Sequence, residues 1–137
     1  IASASVSKNF EGKFAIENIT LMRLDDFELS SLSFLKIDVE GLEDEVLRGG
    51  IETIRKNRPI MLIEIEERHR NNSVSVVFNM IYELGYRAFI RSDSGFCEVL
   101  APDLVDFAKL SARNLSKNFW FVHSETESSV YSFLKAR

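Results

Sequence analysis

Phe34-Leu35-Lys36-Ile37-Asp38-Val39-Glu40-Gly41, running on into Leu42-Glu43-Asp44-Glu45-Val46-Leu47-Arg48-Gly49, decides how the rest of the 137 residues are read. An apolar strand pattern meets two carboxylates, turns on a glycine and opens a helix. Strand side chains alternate between faces, so Lys36, Asp38 and Glu40 share one side while Leu35, Ile37 and Val39 share the other. Same-side neighbours lie about 6.6 Å apart along a strand. Ligand sites in open α/β sheets gather at the carboxyl ends of strands, the place this pattern gives to Asp38 and Glu40. A solvated edge strand shows the same alternation, so the flanking sequence has to separate the two readings.

Downstream, Leu42, Val46, Leu47 and Ile54 give the helix an apolar side, with Glu43-Asp44-Glu45 at its start and Gly49-Gly50 weakening its middle. Arg58-Pro59 marks its exit. Ile60-Met61-Leu62-Ile63 is then an unbroken apolar run, the pattern of a strand buried on both faces. Glu64 and Glu66 end that run, repeating Asp38 and Glu40. Asn72-Ser73 caps a helix from about Val74 to Leu84, closed by Gly85. Tyr86 to Ile90 and Phe96 to Leu100 read as a hairpin around Asp93-Ser94-Gly95. Residues 102–110 read as a weak helix or loop, Asn118 to His123 as an aromatic strand, and residues 130–135 as a frayed terminal helix. Upstream, Asp25-Asp26 begins a short helix, Glu17 to Leu24 alternates as a strand, and residues 1–15 read as a loop. Strand, helix, strand, helix, hairpin and late strand imply a mostly parallel sheet that finishes with antiparallel members. Two successive strands bring carboxylates to one rim, which favours a site over an edge strand.

The length suits one domain, 1–137. With 45% hydrophobic and 28% charged residues the composition is that of a soluble globular protein. No apolar run reaches the roughly 20 residues that span a bilayer, so no membrane role is expected. A net charge of −4 with both signs interspersed gives no reason to expect nucleic acid. The single Cys97 forms no internal disulfide and suits a reducing, cytoplasmic setting. The chain starts at Ile1, as a piece of a longer protein would.

Lys36-Ile37-Asp38-Val39-Glu40-Gly41 with Glu43 and Val46-Leu47-Arg48-Gly49, preceded by Leu24-Asp25-Asp26 and followed by Arg58-Pro59 and Leu62-Ile63-Glu64, resembles the FkbM-type family of S-adenosylmethionine-dependent methyltransferases. These pieces keep the family's order and spacing over roughly residues 19–66. The resemblance implies a class I methyltransferase fold, a Rossmann-like sheet whose seventh strand is antiparallel. It also implies a small-molecule acceptor, a hydroxyl of a sugar or another secondary metabolite. The family's amino-terminal strand, with its glycine-containing turn that cradles the donor, has no counterpart here: Gly12, Gly41, Gly49, Gly50, Gly85 and Gly95 form no such loop. The chain therefore reads as the carboxyl-terminal portion of a methyltransferase domain, lacking the donor-binding strands.

Methyl transfer to oxygen needs the acceptor hydroxyl in line with the donor's methyl group, and positioning contributes up to about 7–11 kcal/mol. A carboxylate with an ordinary pKa of about 4 is a weak base for an alcohol. Asp38 would therefore act late, accepting the proton as the oxygen loses electron density, for roughly 10²–10⁴-fold. Asp38, Glu40 and Glu64 are the candidate catalytic residues. Their oxygens also suit Mg²⁺, which would lower the pKa of a bound hydroxyl, whereas no His/Cys spacing suggests zinc. Lys36 reads as an ion-pair partner for these acids, Glu43 as a helix-dipole residue, and Asp25 as either a family site residue or a cap. His69 is a candidate general base within a charged loop, Cys97 a small core residue, and Phe119-Trp120-Phe121 part of the core. Two competing readings are a non-catalytic acidic module that binds a divalent cation or a basic partner, and a remnant that forms homo-oligomers through an exposed sheet edge.

Overall fold

Parallel neighbours in a sheet cannot be joined by a hairpin and need a crossover. Such a unit organises the first half of the chain. The computed structural model describes residues 20–39, 41–65, 74–92, 95–100 and 117–125. Strand β1 (Phe34–Ile37) lies parallel to β2 (Ile60–Glu64), with Phe34 opposite Ile60 and Ile37 opposite Ile63. Two short helices, α1 (Glu43–Gly49) and α2 (Ile51–Asn57), make the crossover. Gly50 thus divides what reads in sequence as one weakened helix. A Cβ at Gly50 would come within 2.9 Å of Leu24 Cδ2, so the 3₁₀ turn Leu24–Phe27 packs directly against bare backbone.

The break leaves α2 without a side-chain cap from its own N-cap residue. Asp25 serves instead from 28 residues away, its Oδ1 accepting the Thr53 N–H at 2.9 Å. Burial alone would raise the Asp25 carboxyl pKa. Hydrogen bonds from Thr53 and Glu52, with the Arg23 guanidinium, outweigh it and hold the group below its ordinary range. Asp25 therefore caps α2 rather than its own turn. Asp26 does that, accepting the Arg23 N–H at 3.0 Å. Thr20–Arg23 is not in a strand, which corrects the described part of the expected strand from Glu17 to Leu24.

After β2 come α3 (Val74–Glu83), β3 (Tyr86–Ser92), β4 (Gly95–Val99) and β5 (Asn118–His123). Gly85 ends α3 in the left-handed region at φ +86°, its N–H donating to the Tyr82 carbonyl. The sheet order is β1-β2-β5-β3-β4. Among the described residues only β1 and β2 pair in parallel; β2 with β5, β5 with β3, and β3 with β4 are antiparallel. This corrects the expectation of a mostly parallel sheet. The last strand enters between β2 and β3, which keep the same direction but are no longer neighbours.

One sheet face carries Ile37, Met61, Ile63, Ala88, Ile90, Phe119 and Phe121, all buried against Leu47 and Ile54 of α1 and α2 and Val77, Phe78 and Ile81 of α3. The opposite face holds a smaller cluster of Phe89 and Val122, flanked by half-buried Ile60, Phe96 and Trp120. Ile60 and Leu62 are half-buried, so β2 is fully covered on one face, not two. Trp120 differs from Phe119 and Phe121 for the same reason, since alternation turns it to the second face. Cys97 corrects another expectation. It is exposed on β4, 3.4 Å from the Ser92 hydroxyl, rather than in the core.

The end of the sheet away from Asp38 carries a cluster that the sequence did not signal. His123 is buried against Tyr86 in an edge-to-face contact, and its Nδ1 accepts the Glu125 N–H at 3.2 Å. The Glu125 carboxylate pairs with Arg58. Burial first, then the Arg58 charge, lowers the His123 pKa below 6.5, against the opposing pulls of Glu125 and the Leu84 backbone. The unfolded chain therefore binds this proton more readily than the folded one. The His123 contribution is intact above pH 6.5 and declines as pH falls from 6.5 towards the lower folded value. Thermal midpoints measured between pH 7.5 and pH 5 test this. His123→Phe is expected to flatten the slope across that window, and an unchanged slope would assign it to other groups.

Candidate functional site

β1 ends at Ile37, so Asp38 is the first residue beyond the strand, exposed at its carboxyl end. Lys36, two residues earlier and on the same side, donates from Nζ to Asp38 Oδ2 at 2.7 Å. The hydrogen bond with Asp38, followed by its negative charge and more weakly that of Glu64, raises the Lys36 pKa above 10.5. Lys36 is thus a protonated ion-pair partner of the rim acids. This pair is open to water, so its worth lies in orienting Asp38 rather than in stability.

Glu64 closes β2 immediately after Ile63, the partner of Ile37. Continuing that parallel register by one residue sets Asp38 and Glu64 side by side at one end of the sheet. Glu64 also pairs across the ladder with Asn118 of β5. The structure therefore brings Lys36, Asp38, Glu64 and Asn118 to a shared rim. Glu40 and His69 lie outside the described residues.

Gly41 turns the chain out of the rim at φ +100°, a region open to glycine at little cost. Its N–H donates to Glu43 Oε1 at 3.0 Å. Glu43 and Asp44 are buried at the head of α1, so Glu43 acts as a clamp on the turn as well as lying in the first helical turn. Only the glycine and the i,i+2 spacing hint at this in sequence. A general-dipole reading accounts for neither carboxylate being shielded from water.

The arrangement offers a hydroxyl-bearing ligand an oriented carboxylate with a cation beside it. A family model described as the methyltransferase FkbM domain matches residues 2–88, more than half of the chain. The chain belongs to the FkbM methyltransferase family. No curated protein and no solved structure matches it. The family match reaches from upstream of the rim through β1, β2 and α3 and ends within β3. Membership of this family implies methyl transfer, and use of S-adenosylmethionine, in general terms.

Glycine turns at strand-to-helix junctions, where open α/β sheets hold nucleosides, are sparse among the described residues. The one glycine turn at a strand-to-helix junction among them is that at Gly41, and its N–H is already taken by Glu43. Nothing described forms a glycine-lined cradle for a nucleoside. Among the described residues no three His, Cys, Asp or Glu side chains converge to hold a metal ion. No described helix is long and apolar enough to cross a membrane.

Proposed function

We propose that this chain is the carboxyl-terminal portion of a class I, Rossmann-like methyltransferase domain, and that it presents a sugar or secondary-metabolite hydroxyl for O-methylation by S-adenosylmethionine. One observation carries the reading: β5, antiparallel, lies between β2 and β3 while Asp38 and Glu64 share the carboxyl-end rim of β1 and β2. A seventh strand inserted in this way is what the class I sheet requires. The outer edge of β1 has no strand partner among the described residues, so the remaining strands of such a sheet would add there. The second face of the sheet has no described helix on it and leaves Phe34 47% exposed. That face and that edge are the surfaces an amino-terminal half would cover.

In this reading Asp38 accepts a hydrogen bond from the acceptor hydroxyl and takes its proton as the oxygen–carbon bond forms. Lys36 holds Asp38 Oδ2, which fixes the carboxylate and leaves Oδ1 to the hydroxyl. Glu64, and Glu40 beyond Asp38, shape the acceptor pocket. The donor contributes an electrophilic methyl group, and the residues that hold it belong to the preceding strands.

Calorimetry tests this with the chain extended upstream to include those strands. Binding of S-adenosylmethionine by the extended protein, with methyl transfer to a hydroxylated acceptor, is the expected result. Binding of Mg²⁺ or Ca²⁺ with no donor binding would favour an acidic cation-binding module and overturn the proposal.

A further inference from the structure

The carboxyl end of β5 is tied down at three points. The Ser124 N–H donates to the Gly85 carbonyl at 2.9 Å, which joins β5 to the turn that opens β3. The Glu125 N–H donates to His123 Nδ1 at 3.2 Å, and the Glu125 carboxylate pairs with Arg58, the C-cap of α2. One short segment thus gathers β5, the turn between α3 and β3, and the crossover that leads into β2. The strand held in this way is the one inserted in the middle of the sheet.

The bond to Nδ1 exists in one protonation state only. An N–H can donate there only while the nitrogen keeps its lone pair, so the closed site holds a neutral imidazole with its proton on Nε2. Nε2 faces the backbone of the turn: a Cβ at Gly85 would meet it at 3.0 Å, and the Leu84 backbone bonds the ring. A proton added to Nδ1 would aim two N–H groups at each other and leave the Glu125 amide without its acceptor. The surroundings also oppose the charged ring. It is buried, Arg58 brings a positive charge to it from α2, and Tyr86 of β3 covers it in an edge-to-face contact at 5.1 Å. Glu125 is the opposing negative charge, and these are the titratable groups facing His123 among the described residues. The Tyr86 hydroxyl is itself buried with no hydrogen-bond partner among them. Burial raises its pKa, so it stays an uncharged O–H whose donor goes unused while the site is closed. Water reaching the site would solvate both an imidazolium and this hydroxyl, so opening relieves two costs at once.

We propose that His123 is a proton-operated clip: mild acidification detaches residues 123–125 from the α3–β3 turn and from Arg58, while the rest of the sheet stays paired. The detached segment exposes the imidazole to water, where it takes up a proton at its ordinary value of 6.5, and the closed segment keeps it neutral to lower pH. Opening therefore becomes more favourable as pH falls below 6.5. The clip sits at the end of the sheet away from Asp38, and its action does not depend on methyl transfer.

Amide hydrogen exchange followed by NMR on the full chain tests this between pH 7.5 and pH 5, with each rate taken relative to an unstructured peptide at the same pH. The Ser124 and Glu125 amides are expected to lose protection about tenfold across that window, the scale of one hydrogen bond, in step with titration of the His123 ring signals. The β5 ladder amides from Phe119 to Phe121 should keep theirs. His123→Asn supplies an acceptor that does not titrate, because an asparagine side chain accepts from the N–H two residues on in an Asx turn. In that variant the Glu125 protection should be independent of pH over the same window. Should the variant fail to fold, the parent titration alone decides. Unchanged protection at Ser124 and Glu125 while the His123 ring titrates would overturn the clip, as would a ring that stays neutral down to pH 5. Loss of protection throughout β5 at once would also overturn it, since the event would then be global unfolding. A loss that persists with the same pH dependence in His123→Asn would assign the opening to another group.

Discussion

Phe78→Ala is expected to cost about 3–5 kcal/mol of folding stability, the range for emptying a fully buried aromatic site. Phe78 is completely buried on α3, and its ring meets three others near edge-on: Phe119 at 5.1 Å, Phe121 at 5.4 Å and Tyr82 at 6.0 Å. Such aromatic pairs add about 0.5–1.5 kcal/mol each beyond the area they bury. Two of the three partners sit on β5, the strand that separates β2 from β3. Truncation would therefore loosen the attachment of α3 to the middle of the sheet rather than to its edge. Domains of this size are stable by about 5–15 kcal/mol in total, so the variant loses a large fraction of its margin. Urea titration checks this: the midpoint falls while the slope is retained. Asn79→Ala, on the exposed neighbouring position of the same helix, should stay within about 0.5 kcal/mol of the parent. A loss below about 1 kcal/mol for Phe78→Ala would mean that α3 is not anchored through this ring.

The dependence on β5 also shows where sequence reading stops. Asn118–His123 is legible as a strand because Phe119-Trp120-Phe121-Val122 is a short aromatic and β-branched run. Its place between β2 and β3 is not legible, because its partners stand 54 to 60 positions away on β2 and 29 to 37 away on β3 and leave no local trace. The mostly parallel expectation failed at that point. The half-buried state of Ile60 and Leu62 has the same origin: an apolar run gives composition, while coverage of its second face depends on elements elsewhere. Asp25 is a third case. Gly49-Gly50 reads only as a weak point within one helix, and nothing near it announces a second helix capped by an aspartate from the preceding 3₁₀ turn. By contrast, the rim of Lys36, Asp38 and Glu64 was legible. It needs only the two-residue period of a strand and the parallel register of one crossover unit, both of which are local or nearly so. Glu43 and Asp44 fall between these cases, since their position at the head of α1 could be read and their burial could not.

Asp38→Asn, made in the complete methyltransferase domain, is expected to lower turnover about 10²–10⁴-fold, the usual contribution of a positioned acid or base. Asparagine keeps the shape and can still accept the Lys36 hydrogen bond, but it cannot take a proton from the acceptor. Asp38 is exposed and follows the end of β1, so the fold should survive, with an unchanged thermal midpoint. A second readout needs no substrate. Asp38 is the main cause of the raised Lys36 pKa, through its hydrogen bond first and its charge second, so the Lys36 titration followed by NMR should move down towards 10.5. Glu64→Gln separates the roles of the two rim carboxylates. Glu64 acts on Lys36 only as the weakest of the three raising influences, so its removal should shift that titration less. If Asp38 is the proton acceptor and Glu64 a wall of the pocket, turnover should follow the same order, with Asp38→Asn the more severe. Normal turnover in Asp38→Asn, with the Lys36 shift present, would show that the ion pair is real and that the proton leaves by another route. The reverse order, with Glu64→Gln more damaging, would move the acceptor hydroxyl from the end of β1 to the end of β2.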